Sequence, residues 1–164
     1  MAADVEITEL APAAIDEVRS LWLAMRDRHG ELTPGWEPLR DDDDSWARKR
    51  AAYLAELEAE GSFVLVARSE GRVLGYALVS IERTASATWR FDEYAFLDSV
   101  CVLPEARGRG IGSALLAAVQ ERVAALGLAR IHLDAVAANA EAIRLYERAG
   151  FAVEFVTMVK RRGG

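Results

Sequence analysis

Val100-Cys101-Val102-Leu103-Pro104-Glu105-Ala106-Arg107-Gly108-Arg109-Gly110-Ile111-Gly112-Ser113-Ala114-Leu115-Leu116 runs from a β-branched strand, through a turn crowded with Gly and Arg, into an amphipathic helix. A strand–loop–helix junction of this kind is a place for phosphate. Gly108, Gly110 and Gly112 let the backbone approach a ligand and adopt conformations that a side chain forbids. The unpaired N–H groups of the first helical turn point at an anion, aided by the positive end of the helix dipole. Arg107 and Arg109 add charge with bidentate donor geometry. The spacing Arg107-x-x-Gly110-x-Gly112 has no Lys after it, so it matches neither the dinucleotide fingerprint nor the P-loop. Taken alone, the turn is either an anion site or a tight connection.

A second segment decides between them. After the helix comes the strand-like Ile131-His132-Leu133-Asp134-Ala135-Val136, then Asn139-Ala140-Glu141-Ala142-Ile143-Arg144-Leu145-Tyr146-Glu147-Arg148-Ala149-Gly150-Phe151. Together the two segments resemble the GNAT superfamily of acyl-CoA N-acyltransferases. That family's central motif, Gln/Arg-x-x-Gly-x-Gly/Ala, is matched from Arg107 to Gly112. Its next motif, an Asn, an Ala and a Leu-Tyr-Glu-Lys/Arg-x-Gly-Phe run, is matched by Asn139, Ala142 and Leu145 to Phe151. The joint match, in order and at plausible separation, is specific.

The resemblance implies an α/β fold: a GNAT-like domain over 1–164 with a mixed, mostly antiparallel sheet and splayed central strands. It implies acetyl-CoA as co-substrate and transfer to an amine. By resemblance the coenzyme A pyrophosphate belongs to the Arg107–Gly112 turn, with N–H donors from Gly108, Arg109, Gly110, Gly112 and Ser113. A nest of N–H groups at a helix start binds a diphosphate without further cations, which agrees. Arg107 and Arg109 read equally as solvated charges. The family carries a bulge before the turn, so Val100 and Val102 would offer free backbone groups to the pantetheine arm. Val100 N–H would then be the oxyanion donor. Tyr146 matches the family's donor to the departing thiolate, since a phenol stays protonated at neutral pH. Asn139 matches a pantetheine contact and is also a natural N-cap.

Composition sets the outer bounds. The chain has 164 residues, 52% hydrophobic and 28% charged, suiting one domain with a substantial core. No apolar run approaches a membrane span of about 20 residues, and Met1–Glu6 lacks the features of a signal peptide. The reading is therefore cytoplasmic, with no membrane partner. Net charge is −6, which disfavours nucleic acid. Cys101 is the only cysteine, and His29 and His132 are the only histidines, so no metal site is expected. Cys101 faces away from Val100 and Val102 along the strand, as a packed residue rather than a nucleophile.

Working outward, the element order is β-α-α-β-β-β-α-β-α-β, with a further strand left open. Val5–Thr8 starts the sheet, and Pro12 opens a helix that buries Ile15, Val18, Trp22 and Met25. A loop around Trp36 and four aspartates, Asp41 to Asp44, lead to a helix capped by Ser45 and running through Glu60. Phe63–Ala67 and Val73–Val79 form a hairpin, and Tyr94–Val102 follows a polar loop. The helix after the Gly-rich turn buries Ile111, Leu115, Val119, Val123 and Leu126, with Gly127 as its stop. Ile131–Val136, a helix Ala140–Ala149 and a terminal β segment Phe151–Val159 complete the order. The tail is short for two strands and a loop. Either its hairpin is truncated, or a strand pairs with another subunit in a homodimer.

The general base and the acceptor are the thinnest readings. An aliphatic ammonium must lose a proton before attack, and a plain carboxylate is too weak to take it unaided. Asp98 leads the candidates, followed by Glu93, Asp92 and Glu82, each of which is also an ordinary strand-end charge. His132 and Asp134 share a strand face and could form a relay. Trp36 with the four aspartates would suit a cationic small molecule; equally, the aspartates simply stabilise a helix start. Peptide or protein amines, through an N-terminus or a lysine, are the alternative acceptors. A non-catalytic acyl-CoA sensor is the alternative function.

Overall fold

The computed structural model describes residues 5–161. Five strands form one sheet in sequence order: β1 (Glu6–Glu9), β2 (Phe63–Ser69), β3 (Arg72–Arg83), β4 (Glu93–Val102) and β5 (Ile131–His132). Neighbours pair antiparallel except β4 and β5, which are parallel. The helices are α1 (Arg19–Leu32), α2 (Asp42–Glu56), α3 (Ile111–Ala125) and α4 (Ala140–Arg148). This is the mixed α/β architecture expected from the motifs.

The sheet is covered on both faces. On one, α3 lays Ile111, Leu115, Val119 and Val123 against Phe63, Ala77, Val79 and Leu97. On the other, Ile15, Val18, Leu21, Trp46 and Tyr53 pack on Val66, Tyr76 and Leu78. The spacing of α3's apolar residues therefore does what helical periodicity requires. Leu126 is the exception, lying beyond the helix and 40% exposed. Gly127, at φ +76°, takes the left-handed conformation that ends the helix.

Several boundaries differ from expectation, each for a local reason. Pro12–Val18 is a 3₁₀ stretch that feeds α1, and the face it buries shifts to Leu21, leaving Trp22 and Met25 half-buried. Asp41, not Ser45, caps α2: its Oδ1 accepts from Asp44 N at 2.9 Å. The helix thus starts among the aspartates and ends at Glu56 rather than Glu60. Strand β5 pairs over two residues rather than six, because the chain leaves β4 after His132.

The expected terminal strand does not form. Residues 151–161 adopt no regular structure, and Val153, Phe155, Val156, Met158 and Val159 are 67–90% exposed. The apolar pattern is there, yet among the described residues no strand pairs with it.

Candidate functional site

The site is built around a one-residue irregularity. In the β3–β4 ladder Val79 faces Leu97 and Leu78 faces Ser99, so Asp98 is an extra residue, a β-bulge. Its effect shows in the backbone. Ala95 N donates toward β5, to Arg130 O at 3.0 Å, whereas Leu103 N donates toward β3, to Leu74 O at 2.8 Å. In an unbroken strand two residues eight apart would face the same neighbour. The bulge reverses the alternation, so Val100 and Val102 turn their N–H and C=O groups to the edge where β5 should lie. That edge is open, because the β4–β5 pairing stops at Phe96 and His132. Val102 O accepts a long contact from Arg107 Nε, at 3.3 Å.

The open edge runs straight into the glycine turn. Gly108 and Gly110 sit at φ +73° and +79°, and a Cβ placed on either would meet nothing within 4 Å. Their conformation requires glycine, and the space beside them is free for a ligand. Among the described residues the N–H groups of Gly108, Arg109 and Gly110 donate to no protein acceptor. Those of Ile111, Gly112 and Ser113 are the orphans of α3's first turn. Such a nest, aimed outward at a helix start, fits the diphosphate of coenzyme A by its donor chemistry.

Strand edge, turn and α4 enclose one cleft of about 400 Å³. Its walls include Asp98, Val100, Val102, Arg107, Gly108, Gly110, Gly112, Ser113, Asn139 and Tyr146. Of the residues expected to bind coenzyme A, to donate to the oxyanion or thiolate, or to lead as base, all line it except Arg109, which is exposed to solvent. Asn139 serves as the N-cap of α4, its Oδ1 accepting from Ala142 N at 3.3 Å, and also lines the cleft. Tyr146 is half-buried and packs edge-on against Phe151, with ring centroids 5.9 Å apart. Burial, and then the nearby Cys101, push its phenol above the usual range, so it holds its proton.

Cys101 is inert. It is buried, its Sγ donates to Leu21 O at 3.1 Å, and burial pushes the thiol up to about 12. A thiol held protonated is no nucleophile at neutral pH.

Asp98 does not stand alone. Lys49 Nζ lies 2.9 Å from its Oδ2, and both side chains are largely buried. Ser99 Oγ donates to the same carboxylate at 2.6 Å. Behind Ser99, the Tyr53 hydroxyl is 2.5 Å from Ser99 Oγ and 2.9 Å from the Tyr76 hydroxyl. With Ser99 donating to Asp98, this run of hydroxyls ends on the carboxylate that Lys49 pairs. Burial holds both tyrosines protonated.

The other carboxylates fall elsewhere. Glu93 pairs with Arg83 at 2.6 Å, Glu82 accepts from Ser80 Oγ at 2.8 Å, and Asp92 is exposed on the loop before β4. None of the three lines the cleft. His132 stacks on Tyr94 at 4.3 Å, while Asp134 lines the cleft, so the two form no relay. The four aspartates are largely occupied: Asp42 meets Arg26, Asp43 meets Arg19, and Asp44 meets Arg40 and Arg48. Asp41 is the cap, and Trp36 carries the Arg161 guanidinium over its ring at 5.2 Å. This cluster closes on the chain's own cations and lies outside the cleft.

Two residues escaped sequence reasoning. His29, near the end of α1, lines the cleft on the side of Met25 and Arg28, and burial lowers its imidazole so that it is neutral at pH 7. Only its helical register, one turn past Met25, hinted at this.

Glu56, at the end of α2, has a buried Oε2 with no hydrogen-bond partner. Burial raises it to about 7, with Asp98 and Glu82 adding and Lys49 opposing. The folded state thus holds a proton that the unfolded carboxyl releases near 4.5, and stability falls as pH rises from 4.5 to about 7, levelling off above it. Glu56→Gln is expected to melt above the wild type at pH 8 and level with it near pH 5. An equal gap at both pH values would refute this.

Among the described residues no cluster could hold a metal ion, and no helix is long and apolar enough to cross a membrane.

Comparison with known proteins agrees with this geometry. The family model described as Acetyltransferase (GNAT) family matches residues 22–151. A mycothiol acetyltransferase from Actinosynnema mirum is 30% identical over 164 aligned positions, covering 82% of this chain and 52% of the relative. One from Clavibacter michiganensis subsp. michiganensis is 30% identical over 141, covering 74% and 43%. The chain thus spans about half the length of these curated relatives.

Among solved structures, an aminoglycoside N-acetyltransferase, AAC(6')-Iy in complex with CoA, superposes with a TM-score of 0.71 at 22% identity, covering 99% of this chain and 97% of that one. A tetramutant of the BH1408 protein from Bacillus halodurans superposes with a TM-score of 0.75 at 24% identity, covering 96% and 99%. Glycine cradle, bulged strand and family match coincide on the same residues, and the chain belongs to the acetyltransferase (GNAT) family.

Proposed function

We propose that residues 1–164 form an N-acetyltransferase domain that moves an acetyl group from acetyl-coenzyme A to a small-molecule primary amine, by direct attack in a ternary complex. The observation that carries this reading is the meeting, in one cleft, of an open strand edge, a nest of N–H groups with no protein acceptor among the described residues, and a protonated tyrosine. Bound acetyl-coenzyme A would supply the activated acyl group as a thioester.

The chain's residues then have separate tasks. The N–H groups from Gly108 to Ser113 hold the diphosphate, with Arg107 beside them. Val102 pairs with the pantetheine amides, and Asn139 flanks the arm. Val100 N–H donates to the carbonyl oxygen as charge gathers there. Tyr146 hands its proton to the departing sulfur.

Asp98, fixed by Lys49 and Ser99, draws the acceptor's ammonium into place. The Asp98 carboxylate is already engaged by Lys49 and Ser99, and His29 takes the proton instead. A neutral imidazole in the cleft wall has the right state at pH 7. His29→Gln should lower kcat/KM by about 100-fold and remove the rise in rate with pH below about 6.5. Loss of less than threefold, with that limb intact, would show that another group takes the proton.

The mycothiol acetyltransferase relatives favour a small acceptor. The neutralised aspartates take away the main argument for a polycation. Thiol release from acetyl-coenzyme A across amino sugars, polyamines, amino acids and peptides tests the proposal. Selective turnover with small amines supports it. Turnover confined to peptides or protein lysines would move the acceptor to an open groove, and silence throughout with intact coenzyme A binding would make the domain a sensor.

A further inference from the structure

We infer that Lys49 stands in for the acceptor's ammonium: it pairs with the Asp98 carboxylate in the free protein and crosses to Glu56 when an acceptor arrives. The inference rests on the reading of Asp98 as the residue that draws the acceptor into place. Lys49 Nζ is 3.0 Å from Asp98 Oδ1 and 2.9 Å from Oδ2, and Asp98 lines the cleft. Both side chains are largely buried. A carboxylate engaged in this way takes a second ammonium only when the first one leaves.

Helix α2 provides a place for the lysine to go. Lys49 and Glu56 are seven positions apart on it. That spacing is two turns, so they share one face about 10 Å apart along the axis. Lys49 already leans toward the later turn, with its Nζ 4.4 Å from the Tyr53 ring centroid. Helical Cα–Cβ bonds tilt toward the N-terminus, which directs Glu56 back toward the turn of Tyr53. Glu56 Oε2 is buried with no hydrogen-bond partner. Such an acceptor costs free energy until a donor reaches it, and Lys49 is a donor one side-chain rotation away.

The Asp98 end is built to change cations. Ser99 Oγ donates to its carboxylate at 2.6 Å and is itself held by the Tyr53 hydroxyl at 2.5 Å. One hydrogen bond is therefore kept throughout the exchange. The Tyr53 ring face attracts an ammonium of either origin.

A proton balances the charge. The groups around the exchange are Lys49, Tyr53 and Glu56 on α2, Glu82 and Tyr76 on β3, and Asp98 on β4. Burial raises Glu56 to about 7, with Asp98 and Glu82 adding and Lys49 opposing. Below that pH Glu56 carries a proton, which leaves for solvent as the lysine ammonium pairs with its carboxylate. One ammonium enters and one proton departs. Above it the proton is already gone and none is released. Affinity for an ammonium should therefore rise with pH up to about 7 and level off beyond.

Ethylammonium is the probe, exchanged for sodium at constant ionic strength, with binding read from the amide shifts of Asp98 and Ser99. With Asp98 open in about a tenth of wild-type molecules, Lys49→Met should bind the probe about 10-fold more tightly. Wild-type affinity should rise toward tenfold per pH unit below about 7. Glu56→Gln keeps the shape without the charge. It should abolish that rise and bind about 10-fold more weakly than the wild type at pH 8. Circular dichroism checks that both variants are folded. Equal or weaker binding by Lys49→Met overturns the inference, and so does a pH rise that survives in Glu56→Gln. Either result leaves the Asp98 subsite standing. Absence of any shift at Asp98 in Lys49→Met would overturn that subsite and the inference with it. Thiol release from acetyl-coenzyme A tests the transfer itself, so the two can fail separately.

Discussion

Gly110→Val is expected to weaken coenzyme A binding by about 100-fold or more while leaving the fold in place. Two effects add. The backbone of Gly110 lies at φ +79°. A side chain in that left-handed region costs roughly 1–2 kcal/mol, relieved only if the turn relaxes to another conformation. Either the strain persists, or the nest of N–H groups opens. The Cβ and its methyls also project into the space where nothing of the protein lies within 4 Å, which is the space a diphosphate needs. Losing one charge-assisted hydrogen bond costs about 1.5–3 kcal/mol, and each ~1.4 kcal/mol is tenfold in affinity. Calorimetric titration with coenzyme A checks the result. A dissociation constant within threefold of the wild type would place the diphosphate elsewhere.

Tyr146→Phe should give the opposite profile. Coenzyme A affinity stays within about twofold, because the ring and its packing on Phe151 are kept. The rate falls by about 100- to 10,000-fold, the range for removing a general acid. Since burial raises the phenol above its usual range, the wild type should show no loss of rate from this group as pH climbs to 9. A variant with the wild-type rate would reduce Tyr146 to a packing residue. A variant that loses binding and rate together would make it a cofactor contact, not a proton donor.

What can be read from the sequence divides along a physical line. The glycine turn, the Asn139 cap and the amphipathic α3 depend on local chemistry: positive φ, one side-chain acceptor, helical spacing. Each is visible residue by residue. The bulge at Asp98 is not, since Leu97-Asp98-Ser99 contains no glycine or proline to mark it. It exists only in the pairing of β4 with β3, and the resemblance alone implied it. Lys49 reaches Asp98 across 49 positions of sequence, a contact that no periodicity within α2 encodes.

The acidic run misleads for a related reason. Four consecutive aspartates look like a cation site until Arg19, Arg26, Arg40 and Arg48 fold against three of them. The tail fails in the other direction. Its apolar residues read as a strand, but a strand needs a neighbour, and the described residues do not provide one.

The central claim is that the turn from Gly108 to Ser113 and the edge of β4 together hold coenzyme A. Amide NMR of the ¹⁵N-labelled chain, titrated with coenzyme A, tests it most directly. The largest shifts are expected at Gly108, Arg109, Gly110, Gly112, Ser113, Val100 and Val102, with ATP failing to compete. Shifts confined to other segments, or full displacement by ATP, would contradict the assignment of this cleft.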